Sequence, residues 1–280
     1  RNIIVVNNGE GDNNEWKVMD EIEMEVDVKN MGTIGLEDII VELGLIDSNG
    51  INIVQELGFN NNNQIYEIGS LDEEDIERAI FNFRVPADFE SGNYKLAVKS
   101  YSNALGEEIE CTDFSDDFSN EIFESIIIER ETNEGKIILF DNIVNNPPEA
   151  MWGGTVDLTA EAFNIGNYEQ ERVKITLKNT ELNLDKYIEI QNFSEGDEKS
   201  AAFEFNIPQD SITKQYNLLL NAEYDYRNGN YRQSLDDEVV APLFVSCPIT
   251  SFTLVKKQEL TKSAEGKLEI KNDGNLTINL

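Results

Sequence analysis

The chain has 280 residues, of which 55 are acidic and 22 are basic, and it contains no histidine, so its formal net charge at pH 7 is −33. A field of that sign repels nucleic acid and anionic lipid, which excludes both as expected partners. Without histidine the commonest general base near neutral pH is missing. No P-loop and no Gly-x-Ser-x-Gly elbow is present. We therefore expect no enzyme, although a glycosidase needs only two carboxylates and stays formally open.

Strand patterns dominate the first part of the chain. Apolar and acidic residues alternate from Glu21 to Val28, which is the period of a half-buried strand. The turn Asn30-Met31-Gly32 separates this strand from another at Ile39–Leu43. Phe81-Asn82-Phe83-Arg84-Val85-Pro86 and then Tyr94-Lys95-Leu96 follow. No apolar run approaches the roughly 20 residues that a membrane-spanning helix needs, so no span is expected.

The same order of segments returns later in the chain. The matching segments are Ala160–Gly166, Phe203–Pro208 and Tyr216–Leu218, and Leu268–Gly274 starts the order a third time. The first two Asn-x-Gly turns lie 134 residues apart, whereas the Phe-x-Phe and Tyr-x-Leu pairs lie 122 residues apart. The first copy therefore has about 12 extra residues, which we place around Asn49–Asn63, where a polar run is typical of a tolerant loop.

This repetition predicts an all-β protein of tandem sandwiches, two complete and the start of a third. We place the modules at residues 1–132, 133–247 and 248–280. Three strands cannot enclose a two-sheet core, so we expect the third module to be completed by further chain or by another subunit. The start at Arg1 without methionine fits a removed signal peptide or a fragment, and both favour a secreted protein.

The repeated turn has a structural interpretation that needs no ligand. Its members are Asn30 and Gly32, Asn164 and Gly166, and Asn272 and Gly274. Asparagine tolerates the left-handed region and caps local main-chain groups, and glycine supplies positive φ where a strand ends. Tyr94 and Tyr216, each followed two residues on by leucine, resemble the position of a tyrosine corner, in which the hydroxyl ties a strand to a neighbouring loop.

The order strand, Asn-x-Gly, strand, acidic loop, Phe-x-Phe-x-x-Pro and Tyr-x-Leu resembles the immunoglobulin-like modules of archaeal and bacterial surface proteins, including the cell-adhesion-related type. With its acid excess and tandem copies, the chain is also similar to S-layer-type envelope proteins of archaea. The resemblance covers nearly the whole chain. It implies immunoglobulin-like β-sandwiches and an extracellular location at the cell surface, and it brings no catalytic residues.

Calcium is the sharpest chemical hypothesis, because clustered carboxylates beside loop carbonyls offer the oxygen ligands that this ion prefers. No EF-hand spacing is present, and solvated surface acids are the competing interpretation. The candidate ligands are Asp72, Asp75, Asp113, Asp116, Asp117, Asp236 and Asp237.

Two sequons make Asn192 and Asn275 candidates for N-glycosylation. Asn192 is the better of the two because it adjoins an acidic loop, whereas Asn275 follows the third Asn-x-Gly turn. An asparagine-rich chain also produces sequons by chance.

The sequence therefore predicts a structural cell-surface protein, an S-layer or envelope filament component that associates with itself or with other envelope proteins. The alternative is an adhesin or carbohydrate-binding segment of a larger surface protein, since aromatic rings could stack on sugars. The candidate rings are Trp16, Tyr66, Trp152, Tyr224, Tyr226 and Tyr231. A flat row of exposed rings on one face would favour this alternative, whereas aromatic residues are common in strands in any case.

Overall fold

The computed structural model describes residues 2–60, 64–104, 123–247, 252–256 and 269–272. These residues form twenty β-strands and one 3-10 turn. The all-β fold class predicted from the sequence is confirmed.

The chain divides into two compact units. The first unit comprises Arg1–Leu139 together with Phe163–Glu171 and Asn192–Glu198. The second comprises Phe140–Ala162, Arg172–Gln191 and Lys199–Leu280. Two short segments of the second sequence repeat thus belong to the first unit. The module boundaries at residues 132 and 247 stay predictions.

The first repeat is a sandwich of two sheets. Its strands are β1 (Asn2–Asn7), β2 (Glu15–Lys17), β3 (Glu21–Lys29), β4 (Leu36–Ile46), β5 (Gly58–Phe59), β6 (Ile65–Leu71), β7 (Ile76–Arg84), β8 (Gly92–Ser102) and β9 (Phe123–Glu129), with the 3-10 turn at Val54–Glu56. One sheet has the order β1-β3-β7-β5 and the other the order β2-β9-β8-β4-β6.

The second repeat has the same arrangement. Its strands are β10 (Ile138–Asn146), β11 (Glu149–Met151), β12 (Thr155–Asn164), β13 (Gln170–Asn179), β14 (Leu184–Phe193), β15 (Glu198–Asn206), β16 (Lys214–Arg227), β17 (Asn230–Ser234) and β18 (Val239–Ser246). The sheets have the orders β10-β12-β15 and β11-β18-β16-β13-β14, and β17 pairs with β16. In both repeats a short strand pairs in parallel with the last one, β2 with β9 and β11 with β18.

Each repeat thus places its strands in two packed sheets, which is the sandwich architecture that immunoglobulin-like domains share. In the third repeat, β19 (Phe252–Lys256) and β20 (Glu269–Asn272) form an antiparallel pair.

Strand β3 shows how the alternating pattern builds the core. Ile22, Met24 and Val26 are buried, while the acidic residues between them face outward. On that outer face Arg78 of the neighbouring β7 binds Glu25 and Asp27. Each inward apolar side chain gains about 1.5–3 kcal/mol from burial, so the period of two fixes which face of the sheet is covered.

The extra residues of the first repeat do more than lengthen a loop. Val54 and Leu57 are buried in the core, and β5 pairs with the edge of β7. The insertion was expected around Asn49–Asn63; residues 61–63 lie outside the described residues. The polar run thus follows a short apolar stretch that packs under the sheet.

Candidate functional site

The asparagine of the repeated turn closes a strand end with its side chain. In the first repeat, the Asn30 Nδ2 group donates to the carbonyl oxygens of Ile34 at 2.8 Å and Leu71 at 3.0 Å. Its Oδ1 accepts from the Gly32 N–H at 2.9 Å. Asn30 follows β3 and Leu71 ends β6, so one buried amide joins the two sheets of the sandwich.

The second repeat has the same contacts. Asn164 Nδ2 donates to the carbonyl oxygens of Tyr168 and Phe193, each at 2.9 Å. Its Oδ1 accepts from the Gly166 N–H at 3.2 Å. The two repeats therefore agree at the level of single hydrogen bonds.

The main chain around the turn also repeats. In both repeats, the main-chain N–H of the motif asparagine donates to the carbonyl of a residue in a neighbouring loop. The main-chain carbonyl of the same asparagine accepts from the N–H of the loop residue that comes just before. The pairs are Asn30 with Asp75 and Glu74, and Asn164 with Asp197 and Gly196. The loop that follows β6 thus corresponds to the loop that follows β14.

The conformational reason expected for this motif is wrong. None of Asn30, Gly32, Asn164 and Gly166 has positive φ, so the left-handed region does not explain the turn. The asparagine side chain makes it instead, by replacing a main-chain partner. Gly166 is required by crowding, because a Cβ at this position would lie 2.9 Å from Cβ of Ile137.

Both tyrosines bind the main chain four residues earlier. The Tyr94 hydroxyl donates to the Glu90 carbonyl at 2.8 Å. The Tyr216 hydroxyl donates to the Ile212 carbonyl at 3.0 Å and accepts from the Ile212 N–H at 2.9 Å. This is the geometry of a tyrosine corner. Burial, and after it the negative charge of Glu90, raises the pKa of Tyr94.

Within the first unit, the second Asn-x-Gly turn packs against the end of the first repeat, and we call this region the joint: residues 128–139 with Phe163–Gly166. The Glu131 N–H donates to the Ile165 carbonyl and the Ile165 N–H donates to the Ile137 carbonyl, both at 2.9 Å. Phe163 and Ile165 belong to the same buried cluster as Ile128. The joint is therefore a packed and hydrogen-bonded structure.

Glu131 is the charged residue at the centre of the joint. Its side chain is only 3% exposed, and it binds Lys17 Nζ at 2.7 Å. It also accepts from the main-chain N–H groups of Thr132 at 2.8 Å and Asn133 at 2.7 Å. Burial by itself raises the pKa of this carboxyl, but the bonds from Lys17 and from the two N–H groups outweigh it, so the pKa is lowered.

A close main-chain approach lies next to the joint. Gly196 has φ of +78°, and a Cβ there would lie 2.7 Å from Cα of Asp88. Only glycine fits this position on both counts.

The sequence did not identify the role of Glu131 or of Asp20, the two acids that are buried in the described part of the chain. Asp20 lies near the N-terminus of the first unit and accepts from the N–H groups of Glu10, Gly11 and Lys17 at 2.8–3.1 Å. The Asn7 side chain adds a bond at 2.7 Å. The signal in the sequence was the pair of glycines, Gly9 and Gly11. In the structure, a Cβ at either position would lie within 3 Å of the Asp20 carboxylate.

The calcium candidates find no ligand set in the described geometry. Asp72 and Asp75 close an exposed turn, with the Asp75 N–H donating to the Asp72 carbonyl. Asp236 and Asp237 are exposed after β17. Among the residues that the structure describes, no group of three or more acidic or cysteine side chains is arranged to hold a metal ion. Asp113, Asp116 and Asp117 lie outside the described residues.

Of the remaining candidates, Asn192 is exposed, with φ of +50°. Asn272 is the last residue of β20. Gly274 and Asn275 lie outside the described part of the chain.

The aromatic candidates do not form a flat row. Trp16 and Tyr224 are fully buried, and Tyr66 packs edge-on against Phe81 with ring centroids 6.0 Å apart. Tyr226 and Tyr231 are 5.0 Å apart and tilted by 57°. Two of the six rings are therefore core residues, whereas Tyr66 is partly exposed and Trp152, Tyr226 and Tyr231 are half-buried.

Comparison with known proteins identifies neither a family nor a function for this chain. No protein-family model matches the chain, and no curated protein does. Among solved structures, red sea bream transglutaminase is similar over 87% of this chain and 31% of its own length, at 10% identity and a TM-score of 0.29. A likeness of that degree supports no conclusion about activity.

Within the described segments, no helix has the length and apolar character required to cross a membrane.

Replacing the motif asparagine in either repeat is expected to destabilise the protein by about 2–4 kcal/mol, because Asn30→Ala or Asn164→Ala leaves two carbonyls and one N–H without partners. Urea unfolding followed by tryptophan fluorescence measures this. The exposed Asn217→Ala is the control and should change stability by less than about 0.5 kcal/mol. Equal stability of all three variants would contradict the role of the amide.

The Glu131 carboxylate is expected to make stability fall in acid. Because its folded pKa lies below the ordinary value of 4.5, its contribution is complete at neutral pH and is lost as the pH falls below that value and through the folded pKa. Glu131→Gln should flatten this part of the stability profile, measured by urea unfolding between pH 3 and 7 (roughly the range that carboxylates titrate over). The exposed Glu129→Gln should keep the wild-type slope, and identical profiles for the two variants would refute the assignment.

Proposed function

We propose that this protein is a structural component of the cell surface, of the S-layer or envelope-filament type, built from tandem immunoglobulin-like repeats. One observation carries the proposal: the repeated turn makes the same hydrogen bonds in both repeats, and its second copy is packed into the joint. In the second repeat, the motif thus takes part in the contact of one repeat with the next. Modules that repeat in tandem are typical of elongated surface proteins.

A cleft near Tyr94 supports a role without catalysis. It has a volume of about 530 Å³ and is lined by acids, among them Asp47, Glu56, Asp88 and Glu90. Its tyrosine hydroxyl already donates to the main chain, and its pKa is raised. A nucleophile needs the opposite change, a lowered pKa or an adjacent base.

The charge of −33 bears on assembly. Like charges on neighbouring molecules repel, so close packing of copies requires that cations screen or bridge the acidic faces. Diffuse counterions supply this screening without a fixed coordination site. Self-association and other envelope proteins are the partners that we propose.

Antibodies against the purified chain are expected to label intact cells of the source organism, because the proposal places the repeats outside the membrane. Immunogold electron microscopy checks this, with antibodies to a cytosolic protein as the control. The protein should also remain with washed envelopes after cell breakage. Recovery in the cytosolic fraction, with intact cells unlabelled, would contradict the proposal.

A carbohydrate-binding segment is the second candidate, and one surface favours it. Tyr187 on β14 is 63% exposed, and Lys174 of the adjacent β13 lies 5.4 Å from its ring centroid. Arg172 lies over the ring of Tyr226 on the same sheet, and the Tyr231 hydroxyl donates to Glu189 at 2.8 Å. An exposed ring beside charged hydrogen-bonding groups suits a sugar, although Tyr226 already has one face covered.

A glycan array distinguishes the two candidates. If the surface around Tyr187 binds sugars, the wild-type chain binds particular glycans on the array. Tyr187→Ala then loses this binding, because the stacking ring is removed. Tyr168→Ala is the matched control, since Tyr168 is 64% exposed. We expect the wild-type chain to bind no glycan on the array. Specific binding that depends on Tyr187 would favour the carbohydrate-binding alternative.

A further inference from the structure

The first Asn-x-Gly turn has an exposed apolar surface where the second has a covered one. The residue between asparagine and glycine is Met31 in the first repeat, 74% exposed, and Ile165 in the second, 7% exposed. Ile34, three residues after Met31, is 67% exposed. The turns have the same internal hydrogen bonds, so the difference lies in what covers them.

The main chain shows the same contrast. In the joint, the Ile165 N–H donates to Ile137 and its carbonyl accepts from Glu131. Met31 makes neither bond within the described part of the chain. An unpaired N–H and carbonyl beside two exposed apolar side chains is the surface that the end of a preceding repeat covers in the joint.

We infer that the turn Asn30–Gly35 is a docking surface for another immunoglobulin-like repeat, which lies ahead of β1 in the same polypeptide. This inference rests on the proposed function and extends it to a contact ahead of the first repeat. The docked repeat would present the end of its last strand, with an N–H in the place of Glu131 and a carbonyl in the place of Ile137.

The path of the chain is the reason for placing this repeat in the same polypeptide. The joint runs from Glu131 through Ile137 directly into β10, which pairs with the strand that carries Asn164. Strand β1 stands in the same relation to β3, which leads to Asn30. A repeat docked on Met31 in the same way therefore leads into β1.

One residue sets the distance of this contact. Glu74, with φ of +64°, takes the position that Gly196 has in the second repeat. At Gly196 a Cβ would lie 2.7 Å from Cα of Asp88, so Glu74 prevents an equally close approach. Its carboxylate binds Lys29 and stays at the surface.

The test compares the full chain with the same chain preceded by a second copy of its residues 1–139, using hydrogen exchange and mass spectrometry. Exchange at residues 31–35 of the following repeat is expected to slow about tenfold or more in the extended chain, because docking pairs the free main-chain groups. Met31→Asp in that repeat should restore fast exchange, and Glu74→Gly should slow it further. In the unextended chain, Met31→Asp should leave the urea midpoint unchanged, which shows that the variant folds.

Equal exchange at residues 31–35 in the two chains would overturn the inference. Slow exchange in the unextended chain that depends on its concentration and is lost with Met31→Asp would also overturn it, since the surface would then bind a second copy. Cell labelling tests the proposed location separately, so its failure is distinguishable from a failure of docking.

Discussion

One buried amide in each repeat holds the sandwich together at the end where strands turn back. Asn30 and Asn164 each bind a carbonyl on their own turn and a carbonyl at the end of a strand in the opposite sheet. Apolar burial presses the two sheets together but does not set their register, because it has no direction. The amide supplies that direction. Its second copy also shapes the turn whose central residue, Ile165, is buried with the core of the first unit.

Repulsion between the many acidic side chains acts against folding, and nearby basic side chains compensate part of it. Many acids lie on the outer faces of strands, and basic residues lie beside some of them, as Arg78 does beside Glu25 and Asp27. Exposed pairs of this kind contribute little stability. The pair of half-exposed Lys17 with buried Glu131 differs, because the loss of Lys17 would leave a buried charge without its partner and the loss of Glu131 would leave main-chain donors without an acceptor.

The sequence was sufficient for the fold class and the correspondence of the repeats, because a strand period of two and a fixed order of short motifs are local signals. It also placed the extra residues of the first repeat. It anticipated that asparagine caps local main-chain groups, as Asn30 does at Gly32 and Ile34, but not the bond from Asn30 to Leu71, which lies 41 residues away. Burial of Glu131 was equally out of reach, because Lys17 is 114 residues distant along the chain. Partners this remote leave no pattern in neighbouring residues.

The insertion in the first repeat has a consequence for the rims of the two sandwiches. In the first repeat, β5 pairs with the outer edge of β7. In the second repeat, β15 corresponds to β7, and no further strand follows it at the edge of its sheet. Bare rims can recruit foreign strands and start aggregation. The first repeat shields its rim with added main chain, and the second instead lines its rim with Glu198, Lys199 and Glu204, all exposed. The two copies have thus reached the same protection by separate routes.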